Sequence, residues 1–377
     1  MSAHTVIYRG GSIFDGQSIL DDHCVVVQGG LVKGIIPEPA NTETASVVNL
    51  NGDILSPGFV DLQVNGGDGI MLNDDPSVET LRRMANAHRT LGATTILPTL
   101  ITDTREKTRA AIAAVTEAIA NGVPGIAGLH LEGPHLSVAR KGAHDAGLIR
   151  PMTSEDLALL VDAAKSLPVL MVTVAPETTT TAQVSALARV GAIVSLGHTD
   201  AAFDTCRAYA AAGARVVTHL FNAMSQLGNR DPGLVGAALD TPGLSAGLIA
   251  DAIHVHPASM RAAWAAKTGP GKIFLVSDAM APAGSEIAQF HLGDRLIRRN
   301  DGRLTLEDGT LAGADLDLGT AIRVLVEKTG IPLEQALRAA TSIPADVAVL
   351  GRGIGRLVPG ASCSMIRISR DFRASPA

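Results

Sequence analysis

The chain has 377 residues, 46% of them hydrophobic but only 3% aromatic, and a formal net charge of -6. That is enough apolar material for a sizeable core of Ala, Val, Leu and Ile, in one large domain with an appendage or in two domains. The charge excludes the basic footprint of a nucleic-acid binder, and no apolar run approaches the roughly 18 residues of a membrane span.

Residues 1 to 56 contain only short β-like pieces: HTVIYRGGSIFDG, CVVVQGGLVKGIIP and SVVNLNGDILSPG, with turns at Gly29-Gly30 and Asn51-Gly52. They predict a small β unit ahead of the main domain. From Gly58 apolar runs alternate with Ala-rich amphipathic segments. The runs are GFVDLQVN, TTILPT, GIAGLHLE, PVLMVTVAPE, AIVSLGH, RVVTHL, SAGLIAD and KIFLVSD. Helices are expected in SVETLRRMANAHRTLG, TREKTRAAIAAVTEAIANG, SEDLALLVDAAKSL, TAQVSALARVG, AAFDTCRAYAAAG and PASMRAAWAAKTG, several stopped by Gly. The Thr178–Thr181 run is read as opening one of them. Strand and helix units in this alternation predict an α/β fold, a parallel (β/α)8 barrel of TIM type over residues 57 to 354. An open doubly wound sheet is the alternative, but no Gly-rich dinucleotide fingerprint follows the first run. A β-hairpin insertion is expected near 287 to 311, with turns at Asp301-Gly302 and Asp308-Gly309. Residues 355 to 377 read as β again and are expected to rejoin the N-terminal sheet in a small β-sandwich domain made from both chain ends. The cysteines, Cys24, Cys206 and Cys363, lack metal-ligand spacing and read as free thiols. With no basic-then-apolar leader at MSAHTVIYRG, the expected location is the cytoplasm.

The apolar runs end in polar residues: Gln63 and Asn65, Thr99, Glu132, Glu177, His198, His219, Asp251 with His254, and Asp278. In such a barrel every C-terminal strand end opens on one face. Glu132 alone reads equally as half of a salt bridge, and a lone His198 or His219 as a hydrogen-bonded structural group. Glu, His, His and Asp from four strands form a pattern. Two imidazoles and a carboxylate leave an open position on a tetrahedral divalent ion, the mark of a catalytic site. Such an ion lowers the pKa of water toward about 7. A further carboxylate, Asp278, can then move protons. The remaining histidines are read otherwise. His130 is taken to point away from Glu132 and to serve packing or support. His88 and His291 are expected at the surface and His256 in solvent, and Asp251 reads equally as a helix N-cap.

The motifs SPGFVDLQVNG, LPTLIT, GLHLEGPHL, ARKGAHD, VTVAPE, VSLGHTDA, THLFNAM, GNRDPGLVG, LIADAIHV, SDAMAPAG and DGTLAGADL occur in that order. From about Leu50 to Pro344 the chain resembles the N-acetylglucosamine-6-phosphate deacetylases of the amidohydrolase superfamily. The resemblance implies hydrolysis of an N-acetylated amino-sugar phosphate to glucosamine 6-phosphate and acetate. It places metal ligands on Glu132, His198 and His219 and the catalytic aspartate on Asp278. It places substrate contacts on Ala143, His144, Asn222, Ala223, Arg230, His254, Leu311, Ala312 and Gly313. His144 or His254 would steady the oxyanion, while Asp278 takes a proton from water and returns it to the amine. A homodimer is implied, with the Arg230 loop reaching the neighbouring site. Where many amidohydrolases carry His-x-His, this chain has Gln63 and Asn65, so one ion, zinc, is expected. The chain also ends soon after SCSMIRISRDF, where relatives usually add another β segment. The competing readings are a cyclic-amide hydrolase and a non-catalytic sugar-phosphate-binding protein on this fold. The first usually keeps the His pair and a bridging lysine at the fourth strand, both missing here. The second would have lost Asp278 or a ligand.

Overall fold

The structure is a computed structural model that describes residues 4–38, 45–362 and 364–377; Cys363 lies outside them. All the predicted apolar runs form strands of one parallel sheet. They are numbered here as β1 Phe59–Val64, β2 Ala93–Ile101, β3 Leu129–Glu132, β4 Leu170–Val174, β5 Ile193–Leu196, β6 Val216–Val217, β7 Ser245–Leu248 and β8 Ile273–Leu275. Sheet order follows chain order from β1 to β8. The sheet closes just beyond β8: Val64 bridges Ala279, and the Asp278 N–H donates to Gln63 O at 3.1 Å. The Asp61 carboxylate, wholly buried, accepts from the Ser277 N–H at 3.2 Å and draws the same two edges together.

The helices cover the barrel in the order α1 Val78–Thr90, α2 Arg105–Ala120, α3 Ser154–Ser166, α4 Thr181–Arg189, α5 Phe203–Ala211, α6 Gly233–Asp240, α7 Pro257–Ala266, α8 Leu318–Val324, α9 Leu333–Ala340 and α10 Ser342–Val347. Their starts follow from sequence. Ser77, Thr104, Thr153, Thr180 and Asp317 each accept a backbone N–H of the first turn with the side chain, which satisfies a donor the helix cannot. The threonine run therefore opens α4, as expected. Asp251 does not cap α7; His256 does, through Ala258 N at 3.1 Å. The last helical stretch is interrupted: a π-helical turn, Leu325–Thr329, follows α8, and Thr341 separates α9 from α10.

At the chain ends, Met365–Ile368 pairs antiparallel with Ile54–Pro57 in a five-stranded sheet, and Ala374–Pro376 adds an edge strand. A four-stranded sheet carries Thr5–Arg9, His23–Gln28, Leu31–Pro37 and Ser46–Asn49. Between them Ile13, Val25, Val27, Val32, Leu55 and Met365 form a separate small core. The insertion is a three-stranded antiparallel sheet, Gln289–Leu292, Arg295–Asn300 and Arg303–Thr305. It turns at Asp301-Gly302, where both residues have positive φ, the requirement of a tight hairpin turn. Its inner face packs Phe290, Leu292, Ile297 and Leu304 onto Met280 and Ile101, beside the barrel mouth.

Two histidines sit otherwise than expected. His88 on α1 is buried rather than at the surface, and its Nε2 is 2.8 Å from Gly66 O. His130 faces the same way as Glu132, not the opposite way. Strand alternation has period two, so residues i and i+2 share a face. Its Nε2 meets Thr173 Oγ1 at 2.7 Å, and Thr173 meets Thr218 at 2.7 Å, a polar belt inside the barrel below the mouth. His291 is exposed on the insertion and His256 is exposed at the start of α7.

Candidate active site

Glu132 ends β3; His198, His219 and Asp278 lie two or three residues past β5, β6 and β8. Each leaves its strand sharply: His198, His219 and Asp278 have φ of 47°, 29° and 51°. Non-glycine residues rarely adopt this left-handed region, and strain of this kind gathers at functional sites. Gly197 makes the His198 turn possible, since a Cβ there would lie 3.0 Å from both Thr173 and Thr218 side chains.

The turned side chains converge. Glu132 Oε1 is 3.2 Å from His198 Nε2 and 3.1 Å from His219 Nε2, and the two imidazole nitrogens are 3.0 Å apart. All are buried. Two imidazole nitrogens and a carboxylate oxygen facing one point are a donor set for a divalent ion. Two further observations fit an ion. His198 Nδ1 is 2.8 Å from Arg140 O, so its proton is held there and Nε2 keeps its lone pair. His219 Nδ1 is buried with no hydrogen-bond partner, so the ring is anchored only through Nε2, the atom that faces the cluster. Burial pushes Glu132 toward the neutral acid, but the adjoining His198 and His219 side chains outweigh it and hold the carboxyl well below its usual range.

Asp278 faces this cluster with no direct hydrogen bond to it. Asn65 Nδ2 donates to its Oδ1 at 2.7 Å, and Gln63 Nε2 bridges that oxygen and Glu132 Oε1, at 3.2 Å each. The amides at Gln63 and Asn65 thus clamp one oxygen of Asp278. Burial, then the nearby Glu132 charge, pushes the Asp278 pKa up to about 6. A carboxylate near this value can both accept and return a proton close to neutral pH.

Two more imidazoles complete the wall. His144 Nδ1 accepts the Thr102 N–H at 3.3 Å, which leaves the ring proton on Nε2. Burial, then the neighbouring His198, holds His144 well below its ordinary pKa, so it is a neutral donor. His254 Nδ1 is 2.5 Å from Asp251 Oδ2, and Asp251 Oδ1 accepts the Ile253 and His254 N–H groups, at 2.8 Å each. Asp251 is therefore the orienter of His254.

These groups line a cavity of about 390 Å³. Ala143, His144, Asn222, Ala223, His254, Leu311 and Gly313 line it with the acidic and imidazole cluster. Ala312 does not; it is buried in the insertion core. Arg230 is exposed and lies outside the lining. Arg140, not singled out from sequence, lines the cavity while paired with Asp200 at 2.7 Å. Ile101, Met280 and Leu292 supply apolar wall. Of these unforeseen residues, Arg140, Ile101 and Met280 left a sequence signal, their places in the ARKGAHD, LPTLIT and SDAMAPAG motifs.

A parallel barrel with a Glu-His-His cluster able to hold an ion and a separate carboxylate at its C-terminal mouth has the form of a metal-dependent hydrolase. The amidohydrolase family model matches residues 54–374, and the NagA composite domain model matches residues 9–55. The chain belongs to the amidohydrolase family. It is 40% identical to an N-acetylgalactosamine-6-phosphate deacetylase of Shewanella sp. (strain ANA-3), over 95% of this chain and 90% of that one. It is 32% identical to the N-acetylglucosamine-6-phosphate deacetylase of Haemophilus influenzae, over 96% and 94%. The crystal structure of N-acetylglucosamine-6-phosphate deacetylase from Pasteurella multocida superposes with a TM-score of 0.93 at 32% identity, covering 98% of this chain and 97% of that one.

Proposed function

We propose that the protein hydrolyses the acetamido group of N-acetyl-D-glucosamine 6-phosphate, giving D-glucosamine 6-phosphate and acetate. The observation that carries this is Asp278, clamped by amides and facing the Glu132, His198 and His219 cluster. A single divalent ion, zinc, held by these three residues would polarise the amide carbonyl and ease ionisation of water. Asp278 takes a proton from the attacking water as its oxygen bonds to the carbonyl carbon. The His144 Nε2–H donates to the oxyanion that forms. The C–N bond then breaks, and Asp278 returns the proton to the leaving amine nitrogen. His254, its Nδ1–H given to Asp251, offers Nε2 as acceptor to a sugar hydroxyl. Asn222, Ala223 and the Leu311–Gly313 segment shape the sugar site, and Ala143 borders the reacting end.

The phosphate needs local cations because the chain is net negative. Arg140 is the arginine at the cavity wall. The exposed position of Arg230 suits a residue that completes the cavity of a second copy, in a homodimer. Among the described residues no helix is long and apolar enough to cross a membrane, and Cys24 and Cys206 are free thiols. Both features suit a cytoplasmic enzyme.

The 40% identity to an N-acetylgalactosamine-6-phosphate deacetylase supports a second reading, the 4-epimeric substrate. The deciding experiment measures acetate release from both epimers, with and without phosphate, alongside elemental analysis. One equivalent of zinc per chain and a higher kcat/KM on the glucosamine compound are expected. Preference for the galactosamine epimer would install the second reading, and two metal equivalents in active enzyme would overturn the single-ion site.

A further inference from the structure

A second cavity, of about 320 Å³, lies at the opposite end of the barrel. Its wall includes Ile273, the first residue of β8, and the adjoining Lys272. Helix α7 contributes Trp264 and its C-cap Lys267, α9 contributes Arg338, and α10 contributes Ile343. The volume falls in the usual small-ligand range, and pockets of this kind combine apolar walls with a few placed polar groups.

Its chemistry is one-sided. Lys267, Lys272 and Arg338 line it, and no carboxylate does, in a chain whose net charge is -6. Among the described residues, the side chains of Lys272 and Arg338 have no ion pair or hydrogen bond. The Arg338 Nε is wholly buried without an acceptor, a costly state for a charged donor in a folded protein. Lys267 gives two protons to Ala238 O and Thr241 O, at 2.8 Å each, and keeps a third. Its charge is disfavoured first by burial and also by Lys272, against the attraction of Asp240. An oxyanion in the cavity would meet these cations at once. Arg and Lys donors suit a phosphate group. The cavity is too large for that ion alone. Trp264 offers the remaining wall, its ring held by a hydrogen bond from Nε1 to Gln335 Oε1 at 2.9 Å.

We propose that this cavity at the foot of the barrel binds a phosphomonoester, with the phosphate on Lys272, Lys267 and Arg338 and the body of the ligand packed on Trp264. The site is separate from the catalytic mouth and does not depend on the substrate assigned there. Occupancy has a direct reporter, since Trp264 is the one tryptophan of the chain. The purified metal-loaded protein is titrated with glucose 6-phosphate, adenosine monophosphate and inorganic phosphate while tryptophan emission is recorded. At least one of the two esters is expected to give a saturable change that inorganic phosphate competes away. Saturation by the sugar ester alone assigns a sugar phosphate, by the nucleotide alone a nucleotide. Lys272→Glu, a change at an exposed side chain, and Arg338→Met should each weaken that binding about 10-fold or more, the scale of losing a charged partner. Emission that never saturates, a response to inorganic phosphate alone, or an ester affinity unchanged in a folded Lys272→Glu protein would overturn the proposal.

Discussion

Asp278 illustrates how neighbours set what one carboxyl group can do. A base must be ionised, and burial beside Glu132 moves its ionisation to about pH 6. Deacetylation should therefore lose kcat/KM as pH falls through about 6, with the metal retained. Asn65 opposes the upward shift by donating to the ionised form. Asn65→Ala should move the acid limb of the profile to higher pH, an outcome that pH–rate curves on the two proteins read directly. A limb that stays in place would assign it to another group. Asp278→Asn keeps the Glu132, His198 and His219 ligands and the clamp's shape but cannot take a proton. It should bind metal normally and lose about two to four orders of magnitude in turnover. His198→Ala, in contrast, should lose metal and activity together, as elemental analysis of the dialysed protein would register.

Helix α3 stands in the layer between the chemistry and the scaffold. Thr153 and Asp156 form a reciprocal capping box at its start, and Asp156 also takes Arg105 and Arg150, at 3.0 Å each. Burial pushes the Asp156 carboxyl up, but hydrogen bonds from Arg105 and Thr153 outweigh it and hold it far below the usual range. A depressed carboxyl stabilises the fold fully above its unfolded pKa of about 4 and loses that stabilisation as pH falls toward the folded value. Asp156→Asn should thus cost about 2 kcal/mol in urea melts at pH 7, the scale of hydrogen bonds to a charged group, and less at pH 3. An equal cost at both values would mean that ionisation plays no part. Elements of this kind were legible in the sequence where a local rule applies: threonine caps, tight-turn glycines, and apolar runs long enough to be barrel strands. Helix α6 was not foreseen. Its segment GLVGAALD is buried along most of its length and carries no polar stripe, so no helical period is visible. The same limit hid the roles of Asp61, Asn65 and Thr102. Their partners Ser277, Asp278 and His144 are remote in sequence, and only barrel closure brings them together. The convergence of Glu132, His198 and His219 was legible because all eight strand ends must share one face, whichever details of loop geometry follow.

At the scale of the whole molecule, the open question is whether one chain makes a complete site. Arg140 stands at the cavity wall but is already committed to Asp200, while Arg230 is exposed on a Gly- and Pro-containing loop outside it. An exposed arginine can act on a phosphate only if the site it serves comes to it, as a two-fold symmetric dimer allows. If so, Arg230→Ala lowers kcat/KM for the phosphorylated sugar by about 30-fold or more, since truncating one partner of a desolvated charge pair costs about 2–5 kcal/mol. The unphosphorylated sugar should be affected little. Mixing separates action across the interface from action within one chain. Arg230→Ala chains keep Asp278, and Asp278→Asn chains keep Arg230. In a mixed dimer, the site with an intact Asp278 then receives an intact Arg230 from its partner. Unfolded together and refolded in equal amounts, the two impaired proteins should reach about a quarter of wild-type activity on the phosphorylated sugar, because random pairing makes half the dimers mixed and each holds one complete site of two. If Arg230 serves its own chain, no mixed dimer holds a complete site, and activity stays at the level of the separate variants. Sedimentation of the mixture as a dimer is the accompanying measurement. A dimer without regained activity would place Arg230 in the site of its own chain; an Arg230→Ala protein with unchanged kcat/KM would return the phosphate to Arg140, and Arg140→Ala would then show the selective loss on the phosphorylated substrate.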